Sequence, residues 1–66
     1  MQIILNGKTT DIAPDLTAAA LLRQLGAAPE RTAIVVNDAI IAKTERERHR
    51  LQPEDRVEIL TFAAGG

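Results

Sequence analysis

Asn6-Gly7 sits between Gln2-Ile3-Ile4-Leu5 and Lys8-Thr9-Thr10-Asp11-Ile12, and no other stretch narrows the fold as much. An Asn-Gly pair takes the two positive-φ positions of a type I′ turn, whose twist matches that of the flanking strands. A tight hairpin is therefore predicted at the start of the chain. A two-residue turn pairs Leu5 with Lys8, Ile3 with Thr10 and Met1 with Ile12, and alternation puts these pairs on one face. That face is apolar, with the Lys8 stem laid along Leu5. Ile4 is left on the other face with Gln2, Thr9 and Asp11.

The apolar face needs a cover, and the next segment supplies one. Ala18, Leu21, Leu22 and Leu25 fall at i, i+3, i+4 and i+7, the spacing of a one-faced helix. Thr17 is the expected N-cap, and Leu16 before it can pack on Leu21 as a hydrophobic staple. Gly26 and Pro29 end the helix, and Arg23 and Gln24 face solvent.

Ala33-Ile34-Val35-Val36, Asn37-Asp38 and Ala39-Ile40-Ile41 read as a second hairpin, with β-branched residues favouring strand and no glycine in the turn. Thr44 with Glu47 fits a capping box, so a short helical turn through Arg50 is expected. The run Glu45-Arg46-Glu47-Arg48-His49-Arg50 is expected to be a solvated face; no orienting partner or pocket for a catalytic His49 is evident. Leu51 should anchor this connection to the core, and Gln52-Pro53-Glu54-Asp55 reads as a turn. Val57-Glu58-Ile59-Leu60-Thr61-Phe62 is the final strand. Val57 and Ile59 face the core; Glu58, Leu60 and Phe62 share the opposite face. Together with Ile4, Leu60 and Phe62 should form an apolar patch away from the helix, a candidate surface for docking a partner. The order of elements predicts a two-layer α+β domain.

Composition limits what such a domain can do. At 66 residues this is one small domain, burying only about 60% of the surface its unfolded chain exposes. Its 45% hydrophobic content is that of a folded chain. A net charge of −1, with acids and bases interspersed, gives no footprint for nucleic acid. Cysteine is absent, which removes thiolate metal sites and thiol nucleophiles. If the protein handles sulfur, the sulfur rides somewhere other than a side-chain thiol. Met1 leads straight into an apolar run with no basic region before it, and no stretch approaches the ~20 apolar residues of a membrane span. A cytoplasmic location without membrane attachment is expected.

The chain closes with Phe62-Ala63-Ala64-Gly65-Gly66. Nothing branches near the terminal carboxylate, and glycine lets backbone approach another surface closely. Such a tip can be threaded down a narrow channel. The expected organisation is a folded domain over 1–62 and a flexible tail over 63–66.

Ile3-Ile4-Leu5-Asn6-Gly7, Val35-Val36-Asn37, Leu51 with Asp55-Arg56-Val57-Glu58-Ile59, and Gly65-Gly66, in this order and over this length, resemble the sulfur carrier proteins of thiamine biosynthesis, the ThiS family. The resemblance implies a ubiquitin-like β-grasp: a mixed sheet of four to five strands packed on one main helix, in the order β-β-α-β-β-β. It also implies that the first and last strands lie side by side and parallel at its centre. Two departures stand out. Glu54-Asp55 replaces a common Gly-Asp before the last strand, so this turn would be built differently. Ala63-Ala64 precede Gly-Gly where the family often has a further glycine or a larger residue, and alanine is small enough to thread.

The implied chemistry is carried by partners; the chain itself is a co-substrate, not an enzyme. Gly66 would be adenylated by an E1-like, ThiF-like adenylyltransferase using ATP and Mg²⁺, with Gly65, Ala64 and Ala63 threading the channel. A persulfide donor such as a cysteine desulfurase or rhodanese-type protein would supply sulfur. A ThiG-like thiazole synthase would take it from a Gly66 thiocarboxylate. The nearest alternative is the small, MoaD-like subunit of molybdopterin synthase, which shares the tail but tends to be longer. A ubiquitin-related modifier, or a β-grasp binding module of RNA-handling enzymes, is more distant. A free-standing enzyme has the least support, because no nucleophile and base constellation exists.

Overall fold

Asn6 and Gly7 take φ values of 49° and 82°, and the turn they make folds β1 (Gln2–Leu5) onto β2 (Lys8–Asp11). The register is the expected one, with Leu5 opposite Lys8 and Ile3 opposite Thr10. Met1 extends it by exchanging backbone bonds of 2.8 Å with Ile12. The computed structural model describes residues 1–62.

Helix α1 (Ala18–Gln24) opens on Thr17, whose hydroxyl accepts the Ala20 N–H at 3.1 Å. Two further donors of the first turn reach outside the helix: Ala18 N–H to the His49 carbonyl (2.9 Å) and Ala19 N–H to that of Arg46 (3.1 Å). The helix ends in a Schellman motif, with Gly26 donating to Arg23 (3.1 Å) and Ala27 to Leu22 (3.0 Å). Gly26 sits at φ +70°, which glycine adopts without strain. Leu25 departs from the expected pattern. It is the C-cap, 50% exposed, because the chain is already turning there and the fourth position of the stripe rotates off the core.

A single 3-10 turn (Pro29–Arg31) leads into β3 (Thr32–Val36), which pairs with the short β4 (Ala39–Ile40). Asn37 and Asp38, at φ 50° and 71°, make the positive-φ turn between them without glycine. Asn and Asp tolerate this region better than other non-glycine residues.

The long connection corrects two expectations. The helical turn covers Lys43–Glu45 and starts from Ala42, with no side-chain cap. Thr44 and Glu47 do not form a capping box. Glu47 instead holds Arg23 of α1 through two bonds of 3.0 and 3.3 Å. That hydrogen bond, then the charge, lowers the Glu47 carboxyl below its ordinary pKa and raises Arg23. Nor is the whole run solvated. Arg46 is 6% exposed, its guanidinium donating to the carbonyls of Pro29 (3.1 Å) and Thr32 (2.6 Å). An alternating acid–base run looks uniform in sequence, but the carbonyls beneath it claim one of its cations.

Strand β5 (Arg56–Thr61) completes a five-stranded sheet in the order β2-β1-β5-β3-β4. It runs parallel to β1 and antiparallel to β3. Ile3, Ile34 and Val57 from the three central strands meet Leu21 and Leu22 of the helix and Leu51 from the connection, all fully buried. Ile59 packs at the margin of this core, half-buried. The architecture is the expected α+β one, with all five strands formed.

Candidate functional site

β5 enters the sheet through a turn built by its own first neighbours. Pro53 and Glu54 occupy the corners between Gln52 and Asp55, whose N–H donates to the Gln52 carbonyl at 3.2 Å. Glu54 sits at φ +70°, so a turn suited to glycine is made here by a side-chain-bearing residue. Asp55 is buried beneath it. One carboxylate oxygen accepts the Asn37 amide (2.9 Å) and the other the Gln52 N–H (2.8 Å). Asn37 in turn accepts the Arg56 N–H at 2.9 Å. The start of the last strand is thereby tied to the β3–β4 turn.

The alternation of β5 then sorts its side chains. Val57 is buried, Ile59 half-buried, and Glu58, Leu60 and Phe62 lie on the outer face. Leu60 is 50% and Phe62 56% exposed. Leu60 stands opposite Ala33, Glu58 opposite Val35, and Val35 opposite Ile40, itself 75% exposed. The apolar side chains of the outer face thus lie in two rows, Leu60 with Ala33 and Val35 with Ile40, and the β5 residue in line with the second row is the charged Glu58. Val35 and Ile40 were missed from sequence, because only the pairing of β3 with β5 sets Val35 diagonal to Leu60, and only that of β3 with β4 sets Ile40 opposite Val35. Their β-branched character was the available signal. Ile4 lies on the same face but opposite Arg56, half-buried, beside a shallow cleft of about 410 Å³ that it shares with Asn6, Gly7 and Glu58. Arg56 pairs with Asp38 at 3.2 Å. Among the predicted docking residues, the fold places Leu60 and Phe62 together and Ile4 across the Arg56–Glu58 pair of side chains.

Phe62 is the last described residue, its N–H donating to the Arg31 carbonyl at 2.7 Å. Ala63, Ala64, Gly65 and Gly66 lie outside the described residues. Among the described residues no group of His, Asp and Glu side chains is placed to hold a metal ion, and no helix is long and apolar enough to cross a membrane. His49 contributes its backbone to α1 and lines an open cleft with Ile40, Ile41, Ala42, Glu45 and Arg48.

The ThiS family model matches residues 3–66, almost the whole length and through the Gly-Gly end. The chain belongs to the ThiS family. The crystal structure of the thiamine biosynthesis protein ThiS from Geobacter metallireducens superposes with a TM-score of 0.85 at 28% identity, each chain fully covered. A solution structure of a thiamine biosynthesis protein from the same organism gives 0.82 at 30% identity, covering this chain fully and 88% of the other. ThiS-like sequence also occurs inside larger proteins. The whole chain aligns with thiazole synthases of Magnetococcus marinus (35% identity) and Paramagnetospirillum magneticum (29%). It spans only 20% of the length of either.

Proposed function

We propose that this chain is a sulfur carrier for thiazole formation in thiamine biosynthesis, with the Gly66 carboxyl carbon as the carrying atom. The observation that carries this reading is a family match that spans residues 3–66 and so includes Gly65 and Gly66, on a chain that has no cysteine.

The chemistry follows from the carboxylate. As it stands it is a poor electrophile, since its charge is delocalised and oxide does not leave. Attack of a carboxylate oxygen on the α-phosphate of ATP, with Mg²⁺ held by the adenylating enzyme, releases pyrophosphate and leaves a mixed anhydride. A protein persulfide then attacks the carbonyl carbon and AMP departs, giving an acyl disulfide. Two electrons from a thiol reductant cleave that S–S bond, leaving a thiocarboxylate on Gly66 and a thiol on the donor. Thiazole synthase consumes the thiocarboxylate sulfur. The likeness to a segment of two thiazole synthases supports that partner.

The carrier's own part is presentation. β5 is central in the sheet, bonded on both sides over its first half and held by β3 up to Phe62, so its end gives residues 63–66 a fixed point of departure. Leu60 and Phe62 flank the point where that base ends, and Ala63, Ala64 and Gly65 are small enough for a narrow channel. ATP-dependent pyrophosphate exchange with the adenylating enzyme tests the reading. Removing Gly66 should abolish exchange and leave the circular dichroism spectrum unchanged. Undiminished exchange by the truncated chain would refute it.

A further inference from the structure

The backbone bonds of β5 divide by parity. Arg56 and Phe62 bond toward β3, through Asn37 N–H to Arg56 carbonyl (2.8 Å) and Phe62 N–H to Arg31 carbonyl (2.7 Å). Glu58 and Leu60, paired with Val35 and Ala33, share that phase. Val57, Ile59 and Thr61 therefore bond toward β1. There Val57 accepts the Asn6 N–H at 2.8 Å. β1 stops at Leu5, and the chain turns away at Asn6-Gly7. One more slot of the ladder is filled by a side chain, Asn6 Oδ1 accepting the Ile59 N–H at 2.9 Å. Beyond it, the Ile59 carbonyl and the Thr61 N–H and carbonyl face the same side, and no described residue bonds to them.

An open edge is a template for another strand, and proteins normally blunt it with charge, proline, a bulge or short length. The other edges here are blunted: β2 carries Lys8 and Asp11, and β4 has two residues. Ile59-Leu60-Thr61-Phe62 has no charge and no proline.

We propose that this overhang is completed by strand addition: an extended segment of thiazole synthase lies along Ile59–Thr61, accepting the Thr61 N–H and donating to the Ile59 and Thr61 carbonyls. The proposal rests on the carrier reading above and names how the partner grips. Main-chain pairing supplies affinity, and the neighbouring Leu60 and Phe62 side chains supply selectivity. Because the chain continues from this strand into 63–66, the register of the added strand sets how far Gly66 reaches into the enzyme.

Amide hydrogen exchange on the wild-type carrier, free and saturated with its cognate thiazole synthase, tests this directly. The Thr61 amide should exchange at least ten times more slowly in the complex, while the Leu60 amide, already paired with β3, changes little. Unchanged Thr61 exchange in a saturated complex overturns the proposal, as does protection that appears in the carrier alone at high concentration, which would mean self-pairing. Thr61→Pro removes the outward N–H and spares the bonds to β3, a position where an edge tolerates proline. It should weaken binding about tenfold, the scale of one lost hydrogen bond, and Thr61→Val should bind as wild type. Equal binding by Thr61→Pro also overturns it. Should that variant fail to fold, the exchange measurement decides alone. A wild-type chain that is never adenylated at Gly66 refutes the carrier reading; one that is adenylated and bound with Thr61 unprotected refutes only strand addition.

Discussion

The Asn37 amide holds the buried Asp55 carboxylate at 2.9 Å and joins the turn of the second hairpin to the entrance of the last strand. The same carboxylate caps Gln52, and the same asparagine caps Arg56. Asp55→Ala leaves two donors without an acceptor, so it should cost about 2–3 kcal/mol. Asn37→Gly keeps the positive φ but loses both side-chain bonds, and should cost about 1–2 kcal/mol. Urea titration of both variants checks this; equal stability to wild type would mean that the clasp is ornamental.

Glu54 occupies a glycine position. A side chain at positive φ carries a cost of about 1–2 kcal/mol, of which glycine's own chain entropy offsets a part. Glu54→Gly should therefore stabilise the domain by about 0.5–1 kcal/mol, raising the melting temperature by about 3–6 °C. A lower melting temperature would show that the Glu54 side chain stabilises the fold by some other contact.

Arg46 and Arg48 are two residues apart and should respond differently. Arg46→Ala deprives two carbonyls of a charged donor and should cost about 3 kcal/mol. Arg48→Ala, on the exposed side of the same loop, should stay within about 0.5 kcal/mol of wild type. Thermal denaturation of the pair tests the distinction.

Phe62 and Val57 separate docking from stability. Phe62→Ala should weaken binding to the adenylating enzyme and thiazole synthase by tenfold or more, about 1.4–2 kcal/mol or above, with little change in melting temperature. Val57→Ala empties part of the core and should cost about 2 kcal/mol of stability. Partner affinity beside melting temperature for the two variants gives the comparison. Unfolding by Phe62→Ala alone would contradict the outer-face placement.

Where a local signal was strong, the sequence was readable. Asn6-Gly7 set its hairpin to the residue, and Thr17 and Gly26 marked both ends of the helix. The alternation of Val57 to Phe62 sorted inside from outside. What escaped was non-local. Arg46 reads like its neighbours until Pro29 and Thr32 bring their carbonyls beneath it, and Leu25 fits the helical stripe until the backbone leaves the helix. Val35 joins the face of Leu60 only when β3 is laid against β5, and Ile40 only when β4 is laid against β3. Glu47 matched a capping pattern, yet its carboxylate is taken by a cation on α1, Arg23.

Of the five described strands, the one at the middle of the sheet comes last in sequence. Until Arg56–Thr61 has been made, the first hairpin with its helix and the second hairpin share no strand, and the core lacks Val57. A nascent or prematurely terminated chain is left with two half-sheets and exposed apolar faces, the state most open to proteolysis and aggregation. Closure therefore waits on the arrival of the segment that bears the tail. Strand order alone makes the arrival of Arg56–Thr61 a condition of joining the two halves, so a molecule whose outer face is formed has already built the strand that leads into residues 63–66.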